Sequence, residues 1–217
     1  MPVSQTRPRG RFITVEGGEG VGKSTNIEAL VSAIEATGIT VVQTREPGGT
    51  ELAEAIRELL LAPREEAVDP RCELLMMFAA RAQHLSQLIV PALERGHWVV
   101  CDRFTDATRA YQGGGRGMPM DAINDLARWV HGDLDPDATV LLDVDVETGM
   151  ARALARSEAD RFEQEKMTFF EQVRRSYLAL AEAEPERFHL IDAGQALESV
   201  RADVERLGRQ LVERWHD

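Results

Sequence analysis

The sequence predicts an α/β domain in which helices wrap both faces of a five-stranded parallel sheet. Short apolar runs rich in β-branched residues alternate with longer segments of helical periodicity, and the first run leads into a glycine-rich turn. The chain of 217 residues has the length of one large domain, which buries a core without disulfides. Parallel strands need crossover connections, and the alternating helices supply them.

The strands and helices follow one another along the whole chain. The predicted strands cover residues 12–15, 40–44, 98–101, 139–142 and 188–191. The predicted helices cover residues 24–34, 51–61, 73–94, 105–111, 120–130, 147–154, 163–183 and 197–214. With no internal repeat or low-complexity linker, residues 1–217 are expected to form a single domain.

Two segments stand outside this pattern. Residues 1–10 contain arginines but no apolar run, so we expect a disordered start rather than a secretory signal. Residues 154–163 are rich in arginine and acidic residues and lie between two helices, which makes them the candidate for a mobile lid.

Composition excludes several classes of partner. The 37 acidic and 25 basic residues leave a net charge of -12, which argues against a broad basic surface for nucleic acid or for an anionic membrane. No apolar run approaches the roughly 18 residues of a membrane span, so a soluble protein is expected. Cys72 and Cys101 have no further cysteines with which to form a disulfide framework or a zinc site, which fits a reducing cytoplasm.

A phosphate-binding loop is the strongest motif in the chain. Residues 17–24 match glycine, four residues, then Gly-Lys-Ser, between a predicted strand and a predicted helix. Backbone N–H groups of such a loop surround phosphates, the lysine reaches the β- and γ-phosphates, and the serine hydroxyl holds Mg²⁺. The predicted ATP-binding residues of this segment are Gly17, Gly18, Glu19, Gly20, Val21, Gly22, Lys23, Ser24 and Thr25.

A second pair of charged residues follows the strand at 98–101. Asp102 and Arg103 come where side chains enter the cleft at the carboxyl edge of a parallel sheet. The carboxylate is suited to hydrated Mg²⁺ and the guanidinium to a phosphate, although a pair that only caps the strand is the alternative. The Asn-Lys-x-Asp element of guanine-binding switch proteins is absent, because neither Lys23 nor Lys166 has the required neighbours.

Further motifs extend over nearly the whole chain. They are residues 45–50 (Arg-Glu-Pro-Gly-Gly-Thr), 78–81 (Phe-Ala-Ala-Arg), 102–104, 111–117 (Tyr-Gln-Gly-Gly-Gly-Arg-Gly) and 160–163 (Asp-Arg-Phe-Glu). Together with the phosphate loop they resemble the thymidylate kinase family, which phosphorylates dTMP with ATP in dTTP synthesis. The resemblance implies a P-loop nucleoside monophosphate kinase fold, Mg²⁺ as cofactor, ATP and dTMP as substrates, and a homodimer.

The resemblance also assigns a dTMP site. The residues implied are Glu19, Arg45, Met77, Phe78, Arg81, Arg103, Thr108 and Gln112. Arg81 is expected to meet the carbonyl edge of thymine, with a salt bridge within its helix or across to the next helix as the alternative. The family places an aromatic residue four positions before this arginine, where the chain has Met77, so either Met77 or Phe78 faces the base unless both belong to the core. Glycines 113, 114, 115 and 117 are expected to adopt backbone conformations closed to other residues.

The lid supplies the remaining candidates. By resemblance to bacterial members, Arg156 is the catalytic arginine, beside Lys23, Asp102 and Arg103, while Arg152 and Gln195 lie on the ATP side. A solvated helix face is the alternative for the lid arginines. The metal ligands expected are Ser24 and Asp102. No general base is required, since the attacking phosphate oxygen is already ionised, and the five histidines are taken as structural or surface residues.

Two other functions remain open at this point. A kinase for another nucleoside monophosphate or small acceptor would use the same loop, and a regulatory ATP-binding module would need no acceptor pocket. The predicted site nevertheless has a net charge of +4 in a chain of net charge -12, which favours small, enclosed anions. This sum covers Lys23, Arg45, Arg81, Arg103, Arg152, Arg156 and Arg161 against Glu16, Glu19 and Asp102.

Overall fold

The computed structural model describes residues 9–155, 161–162 and 165–215. Its strands are β1 (Phe12–Glu16), β2 (Val41–Arg45), β3 (Trp98–Asp102), β4 (Ala138–Asp143) and β5 (Phe188–Asp192). They form one parallel sheet in the order β2-β3-β1-β4-β5, which confirms the predicted fold class. The expected disordered start, apart from residues 9 and 10, and residues 156–160 and 163 of the expected lid lie outside the described residues.

Helices connect every pair of consecutive strands. They are α1 (Lys23–Glu35), α2 (Glu51–Leu61), α3 (Pro70–His84), α4 (Val90–Glu94), α5 (Thr105–Thr108), α6 (Met120–His131), α7 (Val146–Leu154), α8 (Met167–Ala183) and α9 (Leu197–Trp215). Local sequence explains several of their starts. Asp69, for example, caps α3 by accepting a hydrogen bond from the Arg71 N–H at 2.8 Å, and Pro70 occupies the first turn, where its missing N–H costs nothing.

The sheet is buried on both faces, as its apolar strands require. Alternate residues of a strand point to opposite faces, so Val100 packs with α1 and α9 while Val99 and Cys101 pack with the segment around α4. In β4, Leu142 likewise joins the first core and Leu141 packs against α8. This double burial holds the carboxyl ends of β1 and β3 firmly together at one edge.

The predicted helix at 73–94 is interrupted in the structure. Residues Leu85–Ile89 form a π-helical segment between α3 and α4, in which the Val90 N–H donates to the Leu85 carbonyl. Pro91 has no N–H and its ring would crowd the carbonyl four residues earlier, so a regular α-helix cannot continue through it. The extra residue in the wider turn accommodates the proline.

The helix predicted at 105–111 extends further in the structure. The four glycines that follow it were expected to adopt backbone conformations closed to other residues, and this expectation was wrong for three of them. A π-helical segment, Arg109–Gly115, continues α5. Of the four glycines only Gly117 has a positive φ, +68°. Packing explains Gly114 and Gly115, because a Cβ would lie 2.7 Å from Ser176 Cβ at the first and 2.4 Å from the Phe169 ring at the second, both on α8.

No described helix combines the length and the apolar character needed to cross a membrane.

Candidate active site

The phosphate loop joins β1 to α1 at the carboxyl edge of the sheet. Gly20 has φ +68°, and a Cβ there would lie 1.8 Å from the Gly149 carbonyl oxygen, so α7 backs the loop at van der Waals distance. Lys23 curls over the loop, where its Nζ donates to the carbonyl oxygens of Gly17 at 3.2 Å and Gly18 at 2.9 Å. Ser24 and Thr25 are exposed in the first turn of α1. The loop therefore has the geometry expected of a phosphate cradle.

The charge of Lys23 is sensitive to its surroundings. Burial and the nearby Arg103 lower the pKa of Lys23, whereas Glu19, Asp102 and Glu16 act in the opposite direction. A phosphate bound against Nζ adds negative charge and stabilises the ammonium form.

Arg103 lies in a strained turn after β3. It has φ +66°, a conformation that non-glycine residues rarely adopt. Two hydrogen bonds hold the turn: the Arg103 N–H donates to the Val15 carbonyl at 3.0 Å, and the Phe104 N–H donates to Glu16 Oε1 at 2.7 Å. The strain points the guanidinium toward the phosphate loop.

Arg103 and the phosphate loop are joined by a buried polar network. Arg103 Nη2 donates to Glu19 Oε1 at 2.8 Å, and the Tyr111 hydroxyl donates to the same oxygen at 2.6 Å. Arg103 Nη1 donates to the Tyr177 hydroxyl at 3.3 Å, which in turn donates to Glu16 Oε2 at 2.8 Å. The sequence offered no signal for Tyr177, which comes from α8.

Glu16 is the most strongly perturbed carboxyl group of this network. Burial, followed by the charge of Asp106, raises its pKa to about 7. Arg103, Tyr177 and the Phe104 N–H act in the opposite direction and do not offset the burial. Both the protonated and the ionised form of Glu16 are therefore populated at neutral pH.

A cleft of about 130 Å³ opens beside the phosphate loop, and Glu19 lines both. Its wall combines cationic, polar and apolar side chains. It is lined by Glu19, Glu46, Pro47, Arg57, Leu61, Met77, Arg81, Arg103, Phe104, Ala107, Thr108, Tyr111, Gln112 and Phe162. The structure thus brings six of the eight dTMP residues predicted from the sequence into one cleft, all except Arg45 and Phe78.

Arg81 lies at the inner end of this cleft with 3% of its surface exposed, more deeply buried than the sequence suggested. A salt bridge is present, but its partner is Glu46 of the loop between β2 and α2 rather than a residue of α3 or of the next helix, and Nε donates to Glu46 Oε2 at 2.6 Å. Nη2 donates to the Thr108 hydroxyl at 3.0 Å. This salt bridge and the expected contact to the base are compatible, because one guanidinium has donors to spare.

Met77 and Phe78 take different places. Met77 lines the cleft, whereas Phe78 is buried in a core cluster with Leu74, Ile123 and Ala127. The Arg81 guanidinium lies over the Phe78 ring at 4.8 Å. The structure does not support the expectation that Phe78 faces the base, because the ring packs behind Arg81 rather than in the cleft.

Gln112 is held by a buried carboxylate that the sequence did not single out. Its Nε2 donates to Glu73 Oε1 at 2.9 Å, and Glu73 also accepts from Arg116 Nε at 3.0 Å and from Arg161 Nη2 at 2.6 Å. Burial raises the pKa of Glu73, but the hydrogen bonds from Arg116, Gln112 and Arg161 outweigh it and leave the pKa below its ordinary value. Glu73 therefore ties one end of the expected lid to the cleft.

Arg57 lines the cleft where Arg45 was expected. The Arg45 side chain is 54% exposed, pairs with Glu54 at 2.8 Å and does not line the cleft. Arg57 of α2 was not singled out, yet it lines the cleft and donates from Nη1 to the Pro47 carbonyl at 2.9 Å. Burial, then the charge of Arg45, lowers the pKa of Arg57. Its helical spacing gave no hint of this orientation.

The predicted ATP-side residues lie around the ends of β5 and α7. Arg152 Nη1 donates to the Ala193 carbonyl at 2.8 Å, and Gln195 is exposed with Nε2 3.3 Å from the Asp192 carbonyl. Arg156, the predicted catalytic arginine, lies outside the described residues.

The described residues contain no cluster of three metal-ligating side chains. Asp102 Oδ1 is nevertheless buried and has no hydrogen-bond partner within the described part of the chain. Mg²⁺ in kinases is held by one or two side chains, with phosphate oxygens and water completing the shell, so the donor set fits it.

The parallel sheet, the phosphate loop and the adjoining cation-lined cleft define a P-loop nucleoside monophosphate kinase. The chain matches the thymidylate kinase family over residues 15–204. It therefore belongs to the thymidylate kinase family, and its activity is the ATP-dependent phosphorylation of dTMP to dTDP.

Individual relatives agree with this assignment. The thymidylate kinase of Teredinibacter turnerae is 60% identical over 197 residues, which are 91% of this chain and 96% of that protein. The thymidylate kinase of Pseudomonas putida strain GB-1 is 56% identical over 205 residues, or 94% of this chain and 98% of that protein. The crystal structure of thymidylate kinase from Ehrlichia chaffeensis superposes with a TM-score of 0.76 at 34% identity, covering 92% of this chain and 99% of that one.

Proposed function

We propose that dTMP lies in the cleft and that ATP lies across the phosphate loop, so that their phosphates meet at Arg103. The observation that carries this proposal is the position of Glu19, which belongs to the phosphate loop, lines the cleft and pairs with Arg103 at 2.8 Å. A phosphoryl group moving from one nucleotide to the other must cross this point.

The dTMP residues divide by the part of the nucleotide that they face. At the inner end, Arg81, Thr108 and Gln112 offer polar groups to the base and Met77 forms an apolar wall. At the outer end, the phosphate lies beside the cationic side chains of the cleft. These are Arg103 and Arg57; Arg45 does not line the cleft but lies close enough to Arg57 for its charge to lower the pKa of Arg57. Glu19 and Tyr111 also line the cleft and are hydrogen-bonded to each other at 2.6 Å, and we assign them to the sugar between the base and the phosphate.

On the ATP side, residues 17–25 hold the β- and γ-phosphates through backbone N–H groups and Lys23. Arg152 and Gln195 lie at the adenine end, near the loop that follows β5. Mg²⁺ accompanies ATP, with Ser24 and the free oxygen of Asp102 as its protein ligands. When bound, the ion neutralises charge on the phosphates.

The transfer is a single displacement. An ionised dTMP phosphate oxygen forms a bond to the γ-phosphorus while the bond to the ADP oxygen breaks, so no side chain has to remove a proton. The protein holds the two phosphates in line and neutralises their charge through Lys23, Arg103 and Arg156. Burial of Arg103 in its network keeps its guanidinium in place before either nucleotide arrives.

We also propose that the enzyme is a homodimer that joins through α2, α3 and α6. Large apolar side chains are exposed on these adjoining helices: Leu52 and Leu59 on one face of α2, Leu75 on α3 and Trp129, 84% exposed, on α6. A monomer rarely leaves such a surface uncovered. Sedimentation velocity of the wild type and of Leu75→Glu tests it, and a wild type that sediments as a monomer at micromolar concentration contradicts it.

We place the enzyme in the cytoplasm. Cys72 is an exposed thiol and Cys101 a buried one, and no disulfide joins them in the described structure. Free thiols of this kind persist in reducing compartments. Fractionation of cells expressing the protein, with a periplasmic marker as control, tests this location.

A panel of acceptors tests the assignment of the cleft. ADP formation is measured with dTMP, dCMP, UMP and AMP at matched concentrations, with Lys23→Ala as the inactive control. We expect dTMP to give the highest kcat/KM. Equal or better turnover of dCMP, UMP or AMP would contradict the proposed base site, and ATP binding without acceptor-stimulated ADP formation would contradict the transfer itself.

A further inference from the structure

Two of the three guanidinium nitrogens of Arg81 have hydrogen-bond partners among the described residues. Nε is bonded to Glu46 and Nη2 to Thr108, whereas Nη1 is buried and has no hydrogen-bond partner among the described residues. The guanidinium is also enclosed by the rings of Phe78 at 4.8 Å and Phe104 at 5.0 Å. Arg81 lines the cleft, and Nη1 is the guanidinium nitrogen that no protein group engages among the described residues.

Glu46 fixes the plane of this guanidinium. Its backbone N–H donates to the Asp102 carbonyl at 2.9 Å, which ties the residue to the end of β3. Its carboxylate is nearly fully buried and bridges two partners, with Oε2 facing Arg81 and Oε1 facing His84. A buried carboxylate needs both partners, since an unpaired oxygen in this environment is costly.

His84 supplies the second partner from one turn further along α3. It is fully buried, with Nδ1 3.1 Å from Glu46 Oε1 and Nε2 2.7 Å from the Thr44 hydroxyl. The carboxylate can only accept, so Nδ1 carries the proton in this contact. The backbone of Gly49 closes the space around the ring, because a Cβ there would lie 2.4 Å from Nε2. The ring therefore has one orientation.

We propose that Glu46 and His84 are positioning residues that hold Arg81 with Nη1 directed into the cleft. They thereby make the site select a pyrimidine with a carbonyl oxygen at ring position 4 over one with an amino group there. This inference rests on the proposed placement of the base against Arg81.

The selection follows from rigidity rather than from attraction alone. An amino group at position 4 directs N–H toward N–H, which costs binding energy only if Arg81 cannot turn away. An arginine freed from Glu46 has several rotatable bonds with which to relieve that conflict. The hydrogen bonds from Thr44 through His84 and Glu46 to Arg81 form a relay. Weakening this relay therefore lowers the discrimination between the two pyrimidines more than it lowers kcat for either substrate.

Two substitutions at His84 separate this role from simple packing. His84→Asn keeps an N–H near the position of Nδ1 and so retains the bond to Glu46. His84→Gln places its amide near the position of Nε2, toward Thr44, and loses that bond. The matched control is His189→Gln, a partly buried histidine of β5 at the far edge of the sheet.

The measurement is the ratio of kcat/KM for dTMP to kcat/KM for 5-methyl-dCMP, its 4-amino counterpart. We expect His84→Gln to lower this ratio about tenfold or more, mainly through KM, because one charge-assisted hydrogen bond is lost. His84→Asn and His189→Gln are expected to keep the wild-type ratio within experimental error, clearly above the ratio of Thr44→Val. Thr44→Val removes only the hydroxyl that contacts His84 Nε2 and is expected to lower the ratio by about threefold. It replaces His84→Gln as the test if that variant does not fold.

The outcomes are distinguishable. An unchanged ratio in folded His84→Gln, or in Thr44→Val if that variant alone folds, overturns the inference. Equal loss of activity toward both nucleotides overturns it as well, since that is the mark of a structural role. A wild-type ratio near one overturns instead the proposed placement of the base against Arg81, on which the inference depends.

Discussion

Lys23 illustrates how a single residue is prepared for its substrate. Its ammonium group is bonded to loop carbonyls and destabilised by burial and by Arg103, so a phosphate is a better partner than the ones it has. We expect Lys23→Ala to lower kcat by roughly 10³-fold or more, measured as dTMP-dependent ADP release. Lys166, the second lysine of the chain, is exposed before α8, and Lys166→Ala should behave as the wild type. A Lys23→Ala enzyme within tenfold of wild-type turnover would contradict the role.

Arg156 and Arg161, the two arginines of the expected lid, are expected to affect different kinetic parameters. Arg156→Ala should lower kcat by about 10³-fold with little change in dTMP affinity, because the proposed contact is made to the transferring phosphoryl group. Arg161 is bonded to Glu73 and to the Leu60 carbonyl at 2.8 Å, so Arg161→Ala should mainly raise the KM for dTMP. Measuring kcat and the KM for dTMP of both variants under steady-state conditions tests these two expectations. If Arg156→Ala keeps near-full turnover, Arg152 or Arg161 becomes the candidate.

At the scale of elements, the glycine-rich π-helical segment lets α8 approach the cleft. Gly115 faces the Phe169 ring, and α8 carries Tyr177 into the Arg103 network. Gly115→Ala is expected to lower the free energy of unfolding by about 1–3 kcal/mol through overpacking, measured by urea titration. Ala179→Ser also adds one heavy atom, at an exposed position of α8, and should leave the midpoint unchanged. Equal midpoints for both variants would show that the contact relaxes freely.

Helices and strands were predicted well where local chemistry decides them. Apolar β-branched runs, their alternation with helical segments and the phosphate-loop signature placed all five strands close to their observed ends. The two differences in helix form are both π-helical segments, at Leu85–Ile89 and Arg109–Gly115. Their wider turns depend on Pro91 and on the packing of α8, and helical periodicity alone does not distinguish a π turn from an α turn.

For the molecule as a whole, Glu16 makes stability depend on pH. Its pKa of about 7 in the folded protein exceeds the ordinary value of 4.5, so the folded state holds this proton more tightly than the unfolded chain. The contribution is neutral below about pH 4.5, and the free energy of unfolding then falls by about 3 kcal/mol as the pH rises to about 7 and just above. Urea titrations between pH 5 and pH 8 measure it.

The matched variants isolate that dependence. Glu16→Gln mimics the protonated carboxyl group and should flatten the decline, whereas Glu28→Gln, the same change at an exposed position of α1, should leave it intact. The charged neighbours Asp106 and Arg103 remain in both variants. An equally steep decline in Glu16→Gln would assign it to another group.

The distribution of charge also belongs to the whole molecule. A net charge of -12 surrounds a cleft lined by Arg57, Arg81 and Arg103. Such a surface repels extended polyanions and still admits a small nucleotide that reaches the cationic interior.

The sequence by itself determined the fold class, the phosphate loop, the Asp102–Arg103 pair and the family, because these are encoded by residues close together in the chain. Only the tertiary structure decided the partners that orient them. Tyr177 meets Glu16 across 161 positions and His84 meets Glu46 across 38. Spacing along the chain does not specify which buried donor reaches which acceptor, since that choice depends on how helices pack on the sheet. The roles of Glu46, Glu73 and Arg57 and the partners of Glu16 therefore became recognisable only in the folded protein.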